Sequence, residues 1–229
     1  LVPTYPIVHL PNSMLRVYPQ RGDYLSDKIH GLPLLQISHR GSFVFNLSPF
    51  QGEESELKRV FDYDYDNESI KPYHYQVDLC DQQLHAEFAP SHQSAIYHFD
   101  YKQTAKKPYL VFNGGNGEME INGNVISGYQ NIWNNLRVYI YMEMDVKPEH
   151  AGIFQSGQWK KDVQKVQGEG LCIVASWPSA SLSLNVRYGV SYISVEQAKR
   201  NLQREIRTYN LKEVVAAGRR IWNAELGKI

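Results

Sequence analysis

Apolar and polar residues alternate along much of this chain. In residues 136–146, Leu136, Val138, Ile140, Met142, Met144 and Val146 share one face, and Arg137, Tyr139, Tyr141, Glu143 and Asp145 the other. Residues 182–193 set Leu182, Leu184, Val186, Tyr188, Val190 and Tyr192 against Ser183, Asn185, Arg187, Gly189 and Ser191. Period-two alternation of this length predicts half-buried strands. Shorter runs predict strands at 14–18, 34–37, 43–47, 73–79, 83–88, 95–101, 110–112, 118–121, 151–155 and 171–176. Residues 51–56 read as a polar loop. Asp81-Gln82 makes a short meander connection, and the Asn-Gly pairs within 113–117 and at 122–123 supply the positive φ of tight hairpin turns. A phosphate-cradling glycine loop at 113–117 is set aside because no helix follows it.

After residue 193 the period changes. Ser194 and Gln197 have the form of a capping box, and Val195, Ala198, Leu202 and Ile206 follow at helical spacing. Asn210 can cap a second helix, with Leu211, Val215, Trp222 and Leu226 on one stripe. No repeat of 20–50 residues appears. These elements predict a mainly β fold: a large antiparallel β-sandwich over residues 1–193, with two C-terminal α-helices over 194–229 as a helical linker. The second helix is still unfinished at Ile229, and the chain opens LVPTYPIVHLP, so it reads as trimmed or encoded apart.

Composition narrows the function classes. Twenty-four basic and 24 acidic residues balance, which leaves no electrostatic footprint for nucleic acid or an anionic membrane. No apolar run approaches the roughly 20 residues of a membrane helix, and no signal peptide is visible. Sixteen tyrosines suit sugar stacking, but they suit strands as well. Cys80 and Cys172 lie in strand-like runs; they read as two buried free thiols, with one disulfide as the alternative.

Asp62, Asp64 and Asp66 have the spacing of the first ligands of a calcium loop, but Asn67 and Tyr73 stand where that loop needs Gly and Glu. An acidic strand face or loop is the plainer reading, and no metal site is assigned. The eight histidines have no metal-binding spacing among them. Asp23, Tyr24, His30, His39 and Arg40 fall in a polar, glycine-marked segment between apolar runs, and are the candidate substrate-binding residues, suited to hydroxyl recognition. Glycoside hydrolysis needs two placed carboxylates. Nothing in the sequence singles out a pair, so no catalytic residue is assigned.

The C-terminal stretch carries a resemblance. VSYISVEQA at 190–198, Asn201-Leu202, Glu205-Ile206 and WNAELGKI at 222–229 resemble glycoside hydrolase family 92, bacterial exo-acting α-mannosidases. MLRVYP at 14–19 and VISGY at 125–129, followed by VYIYME at 138–143, are similar to earlier family segments. Where the family shows GFSHTHLSG, this chain has GLPLLQISHRG at 31–41, of which Gly31, Ser38, His39 and Gly41 match. The resemblance implies an N-terminal β-sandwich domain only. The catalytic residues and most calcium ligands would lie in a following (α/α)6 domain, so calcium is expected in the parent and no cofactor in this chain. The implied partners are α-mannoside glycans and that catalytic domain, against which Trp222, Leu226 and Ile229 would pack. The implied location is periplasmic or extracellular. A stand-alone carbohydrate-binding module and a structural docking domain are the competing readings.

Overall fold

The computed structural model describes residues 6–23, 26–37, 43–133 and 136–228. The strands are β1 (Val8–His9), β2 (Arg16–Val17), β3 (Lys28–Ile29), β4 (Leu32–Gln36), β5 (Phe43–Gly52) and β6 (Tyr63–Lys71). There follow β7 (His74–Leu79), β8 (Leu84–Pro90), β9 (Ser94–Tyr101), β10 (Lys107–Asn113), β11 (Gly117–Asn122) and β12 (Val125–Asn131). The set closes with β13 (Arg137–Met144), β14 (His150–Gln155), β15 (Gln158–Lys160), β16 (Lys165–Gly168), β17 (Cys172–Ser176) and β18 (Leu182–Ser191). Two helices, α1 (Val195–Glu205) and α2 (Leu211–Leu226), end the chain.

Ten strands form one antiparallel sheet in the order β16-β11-β12-β13-β18-β9-β8-β7-β6-β3, and six form another in the order β15-β14-β17-β10-β5-β4. The predicted sandwich is therefore present. The alternation in β13 and β18 is realised: Val138, Ile140, Met142 and Met144, with Leu184, Val186, Tyr188 and Val190, are buried in the core between the sheets. The run stops short of its predicted ends. Leu136, Val146 and Tyr192 lie outside the strands and are exposed.

Tyrosines tie the two layers together. From the ten-stranded sheet, Tyr97 donates its hydroxyl to the Pro33 carbonyl and Tyr188 to that of Leu34, both at 2.7 Å. Tyr63 reaches the Pro49 carbonyl and Tyr101 that of Tyr109, both at 2.9 Å. Each acceptor sits in the six-stranded sheet. A buried phenol needs such a partner, and burial pushes all four hydroxyls well above their ordinary pKa of 10.0, so they remain donors. Four of the sixteen tyrosines serve this purpose.

Edges are short or covered. The ten-stranded sheet ends in β3 and β16, the six-stranded one in β15, and these carry Lys28, Lys165 and Lys160. Alongside β4, the chain from Arg16 to Gln20 makes its own bonds: Arg16 Nε to the Gln36 carbonyl at 3.3 Å, and Gln20 N to that of Gly31 at 3.0 Å.

Several expectations need correction. Residues 113–117 do not close a hairpin; they carry the chain from one sheet to the other, with Gly114 N bonded to the Leu171 carbonyl at 2.9 Å. The Asn122-Gly123 turn does join β11 to β12, with φ +61° at Gly123. Both cysteines are free, but Cys80 is exposed on a 3-10 turn, Cys80–Gln82, that replaces the expected burial. Cys172 is buried, which pushes its thiol up to about 12.

The helices lie on the outer face of the ten-stranded sheet. Ser194 caps α1 by accepting from Gln197 N at 3.1 Å, but the Gln197 side chain turns to Asn201 and Arg200 instead of reaching back. Asn210 caps α2 through Lys212 N at 3.1 Å. Leu202, Ile206, Leu211 and Val214 form an apolar cluster with Ala89 and Ile96 of the sheet. The buried stripe of α2 is Leu211, Val214 and Gly218, a rotation from the expected one, and Leu226 is exposed. Gly189 makes this docking possible, since a Cβ there would stand 2.2 Å from the Ala198 carbonyl oxygen.

Candidate functional site

His30 and Asp23 lie on the segment that crosses the flank of the sandwich before β4. His39, Arg40 and Tyr24 lie outside the described residues, as does Ile229. The segment holding His39 and Arg40 joins β4 to β5. Five residues of β4 therefore separate its start from Gly31, roughly 17 Å of extended chain at about 3.3 Å per residue.

The flank is built from polar pairs on β6 and on Asp62 just before it. The His30 ring is held by Asp62, Lys28 by Asp64, and Arg21 by Glu68. Arg21 also stacks 4.9 Å over the Tyr65 ring, and Tyr75 donates to Glu68 at 3.0 Å. Asn46 fixes the backbone beneath. Its Nδ2 donates to Gln20 at 3.0 Å, and its side chain occupies the space a Cβ on Gly31 would need, only 2.3 Å away. Gly31 holds φ +135°, a conformation that glycine alone adopts readily. The Asp62–Asp64–Asp66 run thus works as an acidic strand face. Its carboxylates answer His30, Lys28 and the Asn67 amide, and among the described residues no group of His, Cys, Asp or Glu is arranged to hold a metal ion.

A second polar cluster lies on the outer face of β7 and β8. His74 Nε2 meets Glu87 at 2.7 Å, His85 Nδ1 meets Asp78 at 2.6 Å, and His85 Nε2 stands 3.7 Å from Glu87. Asn67 donates to Asp78 at 2.9 Å. The hydrogen bond from His74, with His85 beyond it, holds the Glu87 carboxyl well below its ordinary 4.5. Glu87 and Asp78 in turn raise His85 above 6.5, against the opposing effect of burial. Glu87 is thereby kept as an ionised acceptor, unsuited to act as a general acid near neutrality. Sequence reading missed this cluster, although the alternation His74, Gln76, Asp78 and His85, Glu87 already puts these groups on one strand face.

The cluster gives a pH signature. His85 contributes stability fully below 6.5, and that contribution is lost as pH rises through its raised folded-state value. The Glu87 contribution is present above 4.5 and is lost only in stronger acid. Chemical denaturation should show stability declining as pH rises above 6.5, and His85→Asn should flatten that slope. An unchanged slope in the variant would remove His85 from the account.

A cleft of about 490 Å3 opens between the α1–α2 connection, α2 and the β8–β9 turn, lined by Leu10, Pro90, Arg207, Val214, Arg220 and Ile221 among others. Neither Asp23 nor His30 lines it. Trp222 is turned inward instead, donating its indole N–H to the His9 carbonyl at 3.0 Å with its ring edge-on to that histidine.

Comparison with known proteins decides the family. The model described as Glycosyl hydrolase family 92 N-terminal domain matches residues 2–191. The chain belongs to glycosyl hydrolase family 92. A family 92 inverting mannosidase from Bacteroides thetaiotaomicron shares its fold, with a TM-score of 0.85 at 22% identity over 97% of this chain. A family 92 alpha-mannosidase from the same organism, solved in complex with mannoimidazole, gives 0.87 at 20% identity over 98%. The chain spans about a third of the length of these structures, 33% and 35% respectively. A search of curated proteins finds no match. Among the described residues no helix is long and apolar enough to cross a membrane.

Proposed function

We propose that this chain is the sandwich domain of a calcium-dependent, inverting exo-α-mannosidase, that it packs against a catalytic domain, and that it lends loop residues to the sugar pocket. The observation that carries this reading is the family 92 N-terminal domain match over residues 2–191, in a chain spanning a third of the solved mannosidases. The sugar-facing candidates are Asp23, Tyr24, His30, His39 and Arg40. Leu226 and Ile229 are offered to the neighbouring domain. Trp222 supports that surface from beneath through its hold on His9. On this reading calcium and the catalytic carboxylates belong to the neighbouring domain, as the family resemblance implies. Action on α-mannoside glycans in the periplasm or outside the cell follows from the same reading.

On this division the 229-residue chain is inactive alone. An aryl α-mannoside incubated with the purified chain, with and without added calcium, should release no phenol. Measurable, calcium-dependent hydrolysis would sink the division of labour.

A further inference from the structure

We infer that the cleft between α2, the α1–α2 connection and the β8–β9 turn is a binding site for a small aliphatic carboxylate. Arg207 and Arg220 take its head group, and the apolar floor takes its chain. The site goes beyond the mannosidase reading and does not depend on it.

The cleft of about 490 Å3 falls within the roughly 300–1,000 Å3 of small-molecule sites. Three arginines line it, Arg204, Arg207 and Arg220, against two glutamates, Glu205 and Glu213, which leaves one positive charge in excess. Arg204 is already committed, to Glu205 at 2.8 Å and to the Gln93 side chain at 2.7 Å. The other Glu205 oxygen accepts from Gln93 N at 2.8 Å, and Glu213 accepts from Asn210 Nδ2 at 3.0 Å. Arg207 and Arg220 are exposed, and among the described residues their guanidinium groups have no ion pair or hydrogen bond. A guanidinium presents a planar fork of donors that matches the two oxygens of a carboxylate. A single excess charge suits a singly charged head.

The floor decides what carries that head. Leu10, Pro90, Ile206, Val214 and Ile221 supply its apolar surface, and no aromatic side chain lines the cleft. A sugar ring would find no stacking face there, whereas an alkyl chain gains from each methylene it buries. Small residues keep the space open. Ala216 and Ala217 line it, and Gly218 beside them pins α2 to the sandwich. A Cβ on Gly218 would stand 2.9 Å from Tyr73 Cβ and 3.2 Å from Leu10 Cδ2. The helix is thus held close at one position while the alanines leave room next to it.

Isothermal titration calorimetry of the 229-residue chain with sodium octanoate tests the site. Saturable binding of one octanoate per chain is expected. Arg207→Gln and Arg220→Gln should each weaken it about tenfold, the loss of a hydrogen bond to a charged group. Arg219→Gln, outside the lining, should leave it unchanged. Ala217→Trp should fill the space and abolish binding, with circular dichroism checking that the helices persist. No heat at millimolar octanoate overturns the site. Equal affinity for 1-octanol overturns it too, because the head would then go unread, as does an affinity that neither arginine variant changes. Displacement of octanoate by methyl α-mannoside would reassign the cleft to sugar and equally overturns it.

Discussion

Replacing Gly189 by alanine is expected to lift α1 off the sandwich. The added Cβ would meet backbone, the Ala198 carbonyl at 2.2 Å and the Leu202 N at 2.9 Å, so no side-chain rotation relieves it. The helix must move as a unit, and with it the contact of Leu202 and Ile206 on Ala89 and Ile96. It also strains the bond from Asn201 Nδ2 to the Val190 carbonyl, 2.9 Å in the docked state. Overpacking of this kind costs about 1–3 kcal/mol, and each kcal/mol shifts the melting temperature of a domain this size by about 2–4 °C. Gly123→Ala is the control. Nothing lies within 4 Å of its added Cβ, so only the strain of φ +61° remains, worth about 1 kcal/mol. Calorimetry showing equal losses for the two variants would refute the close-approach account.

Arg187→Met should destabilise by about 3 kcal/mol, the lower end for breaking a buried ion pair. Arg187 is bonded to Glu143 at 2.6 and 3.0 Å, both side chains being 15% exposed. Its other nitrogen donates to the Ile206 carbonyl at 3.0 Å, and its guanidinium lies 4.4 Å over the Tyr209 ring. One side chain thus joins β13, β18 and the α1–α2 connection. Methionine fills the space but leaves the Glu143 carboxylate without its cation and the end of α1 without its donor. The double variant Arg187→Met, Glu143→Leu should recover part of the loss, because the stranded charge is gone. A single variant as stable as the parent in urea titration would contradict this.

The sheets were legible because alternation is a local signal. In β13 and β18 the residues between Val138 and Val190 that read as inward are inward. Helix existence was legible from the change of period at Ser194, and both caps bind where expected. Helix rotation was not. Val214 and Gly218 face the sheet because α2 must clear Tyr73 and Leu10, a constraint set by residues about 145 and 208 positions away. The family was legible in the C-terminal stretch, although the domain match itself ends at residue 191. The candidate site was harder to read. Of its members, His30 lies on the described flank beside Asp62, while His39 lies outside the described residues. The His74–Glu87–His85 cluster went unseen because it joins neighbouring strands, and pairing is a property of register rather than of either run.

The blunt borders of both sheets govern how the molecule can meet others. β3 spans two residues, β15 three and β16 four, each carrying a lysine. Such margins discourage a foreign strand from adding to the ladder. Recognition by backbone zipping is closed off there, and a partner must read the sandwich through its side chains.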